Sequence, residues 1–149
     1  MRKANNVSLV TTRDATDFRQ AQSAVLIAEE VTNITVPGLL LEAAIQVDDT
    51  RYLLCLTDDV IYEESLTIAL IDIRHGVLEI VHIGQMWATG FFENLIVDAA
   101  HIRFRFLGEG EWVVKIASTP RLRLPFFSDP PGVTRSPGLR KYLSIEYRK

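Results

Sequence analysis

Apolar and polar positions alternate with a period of two through most of the chain after Pro37-Gly38, and the alternating runs are short, rich in β-branched and aromatic residues, and separated by clusters of turn formers. That is the pattern of half-buried strands rather than helices. Leu39 to Val47, the turn Asp48-Asp-Thr50 and Arg51 to Thr57 predict a first hairpin. Leu66 to Ile73, turning at Arg74-His-Gly76 into Val77 to Ile83, predicts a second, although Glu63 to Leu70 also suits the start of a helix. Ala100 to Leu107, turning at Gly108-Glu-Gly110 into Glu111 to Ala117, predicts a third, and Leu122, Leu124 and Tyr142 to Tyr147 supply one or two further strands.

Before Pro37 the period changes. In Asp14 to Glu30 a capping residue, Asp14 or Thr16, precedes Phe18, Ala21, Val25 and Ala28 at helical spacing, which predicts one N-terminal helix. The competing reading of the same residues is a strand through Ala24 to Ala28. Between Pro125 and Gly138 lie four of the six prolines, which excludes a helix or a central strand there and predicts a long loop. Taken together, the elements predict a mainly β fold: an antiparallel meander of about seven or eight strands, closed as a barrel or packed as a sandwich, with one N-terminal helix.

Composition narrows this picture. A chain of 149 residues has the length of a single globular domain, here residues 1–149, and its 48% hydrophobic and 23% charged residues set it apart from disordered and fibrous chains. No apolar run reaches membrane-spanning length and no apolar leader follows Met1, so the expected location is cytoplasmic with no membrane association. The lone Cys55, inside Tyr52-Leu-Leu-Cys-Leu56, fits a reducing compartment and reads as a small buried hydrophobe.

Charge adds a polarity that the net value of −3 conceals. Residues 1–98 hold 6 Lys/Arg against 15 Asp/Glu, whereas residues 99–149 hold 10 against 4. If the two parts occupy different faces, one side of the protein is acidic and the other basic, which bears on partners and association rates.

Candidate chemistry is sparse. Phosphate loops, nucleophile elbows and dinucleotide fingerprints are absent, and His75, His82, His101 and Cys55 lack metal-ligand spacing, so neither cofactor nor metal is expected and the protein leans away from enzymes. Three surfaces remain. In the third hairpin and its continuation, Arg103, Arg105, Lys115, Arg121 and Arg123 alternate with apolar residues and would form a basic patch, either a solvated sheet face or a site for an acidic partner. The connection Gly84 to Asn94 carries Met86, Trp87, Phe91 and Phe92, which either fill the core or meet a partner. The connection Thr57 to Ser65 gathers Asp58, Asp59, Glu63 and Glu64 as an acidic contact.

These features predict a non-enzymatic interaction module that binds another protein, with a small cytoplasmic inhibitor or immunity-type binder as one form and a homodimer possible. The alternative is a small-molecule-binding β-barrel whose mouth is lined by Trp87, Phe91, Phe92, Phe126 and Phe127. An enzyme ranks third, and would be signalled by convergence of His82, His101, Asp58, Asp59 or Glu93. The acidic total and the absence of an aromatic-and-basic recognition motif disfavour nucleic acid.

Overall fold

Residues 51–57 and 65–72 are apolar at nearly every position instead of every second one, and the fold shows why. In the computed structural model, which describes residues 1–16, 19–58, 65–84, 90–123 and 129–149, these two strands run through the middle of a layered structure and are covered on both faces. Leu53 and Cys55 of one strand and Leu66, Ile68 and Leu70 of the other face one hydrophobic core. The intervening Tyr52, Leu54, Leu56, Ala69 and Ile71 face a second. A strand alternates its side chains between two faces, so a layer buried on both must be apolar throughout.

The described residues form thirteen strands, all paired antiparallel. The central sheet has the order β1-β5-β6-β7-β8-β12 and contains β1 (Arg2–Lys3), β5 (Leu40–Gln46), β6 (Arg51–Thr57), β7 (Ser65–Asp72), β8 (Gly76–Gly84) and β12 (Val133–Arg135). One outer layer is the three-stranded meander β2 (Val7–Arg13), β3 (Gln22–Ile27) and β4 (Glu30–Pro37), which closes the second core with Val25, Ile34 and Val36. The other is the sheet β13-β11-β10-β9, built from β9 (Glu93–Val97), β10 (His101–Arg105), β11 (Glu111–Leu122) and β13 (Arg140–Arg148). It closes the first core with Ile102, Phe104, Trp112, Val114, Leu143 and Ile145. Each such side chain contributes about 1.5–3 kcal/mol on burial.

Five expectations need correction. The described residues form thirteen strands where about seven or eight were expected, because the meander β2 to β4 and the short β1, β9 and β12 fall in stretches whose pattern does not mark them as strands. The N-terminal helix does not form: residues 22–27 are strand β3, because Ser23 and Val25 point into the packed interior while Ala28 and Glu29, with φ of 53° and 66°, make a two-residue turn into β4. Positive φ at both turn positions is the hairpin geometry normally supplied by Asn-Gly, and the residues here gave no such signal. The barrel does not form either, among the described residues: the sheets stack as open layers whose interfaces are filled by side chains, so a barrel mouth has no place in this architecture. Glu63 to Leu70 is not the start of a helix where described, since Ser65–Asp72 is strand. Finally, the proline-rich stretch is not loop throughout, because Val133–Arg135 pairs with β8 as an edge strand, the one place in a sheet that tolerates flanking prolines.

The polarity of charge survives folding. Residues 99–149, the basic part, contribute β10, β11 and β13 to one outer layer, whereas the other outer layer and most of the central sheet come from the acidic part. Among the described residues no helix is long and apolar enough to cross a membrane. Cys55 is fully buried in the first core, which pushes its thiol up to about 12.

Candidate basic interface

Strand β11 divides into two halves at a large bulge. From Glu111 to Ile116 it pairs residue for residue with β13, Ile116 lying opposite Leu143, and pairing resumes only at Arg121 opposite Lys141 and Leu122 opposite Arg140. Residues 117–120 therefore face Tyr142 alone, and Pro120, which has no amide hydrogen to offer a ladder, sits at the end of the bulge. The bulge deprives β13 of partners for its amides. Glu79 of β8 takes them: its carboxylate accepts from the backbone N–H of Tyr142 and of Leu143, each at 2.9 Å.

Glu79 is in turn held by Arg135, whose guanidinium lies 3.4 Å away and makes a bidentate bond to Asp129 at 2.8 and 2.9 Å. Burial pushes the Glu79 carboxyl above its ordinary value, and the two amides, Arg135 and Lys141 pull it back. On the opposite side of the bulge, Arg51 of β6 donates through Nη1 to the carbonyl of Ala117 at 2.8 Å and through Nε to Asp48 at 2.6 Å. Two groups of the central sheet thus fix the bulge and with it the direction of the far half of β11.

The two halves differ in charge balance. Along the near half Arg103 lies 3.6 Å from Asp98 and 3.4 Å from Glu111, Lys115 lies 3.3 Å from Glu146, and Glu146 also receives Arg148 at 2.9 Å. His101 adds a contact to Asp98 at 3.0 Å, and Arg105 donates to the carbonyl of Glu109. In the far half the cations outnumber their partners. Arg121 stands opposite Lys141, Arg140 lies one position earlier on β13, and among the described residues the Arg123 guanidinium bonds the carbonyl of Ser136, at 2.7 Å. Neither Arg121 nor Arg140 has an ion pair among the described residues. Two leucines, Leu122 and Leu139, lie beside them with 67% of their surface exposed in each case.

The five cations predicted as one patch are therefore not one patch. Arg103, Arg105 and Lys115 belong to a neutralised face, while Arg121 and Arg123 join Arg140 and Lys141 in a projecting basic ribbon. The last two carried a signal in sequence, as adjacent cations opening an apolar strand. The offset of the bulge hid that Lys141 falls opposite Arg121 and Arg140 opposite Leu122.

The aromatic connection is also divided. Phe92 packs on Phe104 with ring centroids 4.9 Å apart, whereas Phe91 is 78% exposed. Gly90 explains the sharp approach, because a Cβ there would stand 2.8 Å from the backbone nitrogen of Leu107. Met86 and Trp87 lie outside the described residues, as do Phe126 and Phe127.

Of the acidic connection, Asp59, Glu63 and Glu64 lie outside the described residues, and Asp58 is engaged internally. Gln20 donates through Nε2 to Asp58 Oδ2 at 2.7 Å and to Thr67 Oγ1 at 3.3 Å, and Thr67 Oγ1 lies 3.0 Å from His82 Nδ1. Burial pushes Asp58 above its ordinary value, and burial pushes His82 below its own, against the opposing field of Asp58. So Asp58 and His82 share one polar network, while His101 and Glu93 lie on the other outer sheet and His75 is in an exposed turn. No protein-family model matches this chain, no curated protein matches it, and no solved structure does.

Proposed function

We propose that the protein is a non-enzymatic interaction module that binds an acidic surface of another protein through the ribbon formed by the far half of β11 and the start of β13. The carrying observation is Arg121 opposite Lys141 with Arg140 and Arg123 beside them. Like charges directly across a strand pair destabilise it, so the free protein holds a repulsion that an anionic partner relieves.

A protein partner suits this surface better than nucleic acid. Exposed Leu122 and Leu139 offer apolar contact beside the cations, which protein interfaces use, and the aromatic of the described ribbon, Tyr142, is half-buried against the first core instead of open for a base to stack on. Covalent capture in the native host tests the reading: cross-linked partners of the wild type are compared with those of the Arg121→Glu/Arg140→Glu variant. Acidic proteins captured by the first and lost by the second, with capture weakened by salt, support it. Equal capture by both, or capture of nucleic acid alone, refutes it.

A further inference from the structure

Beside the ribbon lies a cavity of about 280 Å³ whose lining includes Glu79, Arg135, Arg123 and Arg140, with Val77 and Pro137 among its apolar walls. We infer that this cavity receives one carboxylate of the acidic partner, bound by Arg123 and Arg140, with a neighbouring apolar side chain of the partner resting on Val77. The inference rests on the proposed binding of an acidic protein and names the group recognised.

The donors divide sharply into used and unused. Arg135, with a side chain only 3% exposed, spends its fork on Asp129 and turns Nη1 to Glu79. Glu79 is itself occupied by two backbone amides. Arg123 uses Nη1 alone, on the Ser136 carbonyl, so its Nε and Nη2 hydrogens are uncommitted among the described residues, and Arg140 has no side-chain partner there. The bond to Ser136 also restrains the Arg123 side chain, which lowers the ordering cost of binding. Guanidinium hydrogens in fixed forks match the two oxygens of a carboxylate.

Charge favours an anion. Arg123, Arg135 and Arg140, with Lys141 also acting on Glu79, outweigh Glu79 and Asp129, and a carboxylate reduces that excess. A phosphate dianion would bring a second negative charge towards Glu79. The exposed part of Val77 and the ring of Pro137 supply a non-polar wall, so the preferred ligand is an acidic residue next to an apolar one rather than a bare anion.

The test uses the full chain at low salt and four probes: an acetylated, amidated peptide of alternating Glu and Leu, its Gln-Leu counterpart, polyglutamate, and inorganic phosphate. Affinity is read by calorimetry and the Arg Nε–H resonances by NMR. The Glu-Leu peptide is expected to saturate and to shift the Arg123 and Arg140 signals. Arg123→Gln and the surface variant Arg140→Gln are each expected to weaken it about tenfold, and Arg121→Gln by less than about threefold. Neither the Gln-Leu peptide nor phosphate should saturate. Binding weakened by Arg121→Gln but untouched by Arg123→Gln and Arg140→Gln would leave the ribbon as the interface and overturn the cavity. Saturation by phosphate that displaces the peptide would overturn the carboxylate assignment. Failure of the Glu-Leu peptide and of polyglutamate alike would overturn both the cavity and the ribbon.

Discussion

The face shared by β10 and the near half of β11, and the far half of β11, both set cations among apolar side chains and reach opposite outcomes. On the first, Arg103 of β10 meets Asp98, just past β9, and Glu111 of β11, and Lys115 of β11 meets Glu146 of β13, so these positive charges end in ion pairs while Trp112 and Val114 end in the core. Beyond the bulge the strand across the ladder supplies Arg140 and Lys141, and Leu122 stays exposed among the described residues. An alternating basic strand is therefore structural or available according to what its register sets opposite it. The difference lies in pairing, which composition does not encode.

The joint between the halves is where the comparison breaks most readily. Replacing Glu79 by Ala leaves the amides of Tyr142 and Leu143 without their acceptor and removes one of the two carboxylates that buried Arg135 contacts, and a loss of about 2–4 kcal/mol is expected. Urea unfolding checks the stability. Hydrogen exchange checks the cause: the amides of Tyr142 and Leu143 should lose protection well before those of Val113 and Val114. A variant that is destabilised uniformly, with no selective loss at β13, would deny Glu79 this local role.

Charge reversal sharpens the contrast in binding. Arg121→Glu/Arg140→Glu should slow association with an acidic partner by about tenfold or more, equivalent to about 1.4 kcal/mol, and leave stability unchanged or slightly improved because a like-charge pair is removed. Neutralising Lys115 to Gln should have the reverse character. It removes one exposed ion pair, so stability falls by about 0.2–1 kcal/mol in low salt and the association rate hardly changes. Thermal melts at two salt concentrations separate the two variants.

Most of the strands were legible because their pattern has a local cause. β5 through β8, β10 and the near half of β11 show the period of two or the continuous apolar run that their burial demands. The outer meander was misread because Ala21, Val25 and Ala28, in and beside β3, fall at helical spacing and the strand ends in Ala28-Glu29, a turn with positive φ and no Gly or Asn to announce it. β12 was hidden inside a proline-rich stretch whose composition describes its flanks and not its three paired residues. The candidate site was half legible: Arg121 and Arg123 were visible as strand cations, but the bulge that brings Arg140 and Lys141 beside them is a matter of register. Neutralisation of Arg103 and Lys115 was hidden for the same reason, since Asp98 and Glu146 reach them from neighbouring strands.

The smallest expected effect lies on the other side of the central sheet and serves as a control. Burial holds the His82 imidazole below its ordinary value of 6.5, so the folded state favours the neutral ring. The corresponding stability is complete above that value and declines as pH falls through it towards the folded-state value. Asp58, pushed up by burial, works in the opposite sense only in the carboxylate range. Melts between pH 7 and about 5.5 should therefore show a decline that His82→Gln flattens and that ribbon variants leave unchanged.

The most direct test of the central claim compares two double variants in one assay, the salt dependence of binding to polyglutamate measured by stopped flow. Arg121→Glu/Arg140→Glu alters the ribbon, and Arg103→Glu/Lys115→Glu alters the neutralised face by the same change of charge. The account predicts that the first abolishes the salt-dependent association and that the second retains most of it. Equal loss in both would mean that only the total charge of the layer matters, and the distinction between the two halves of β11 would fall.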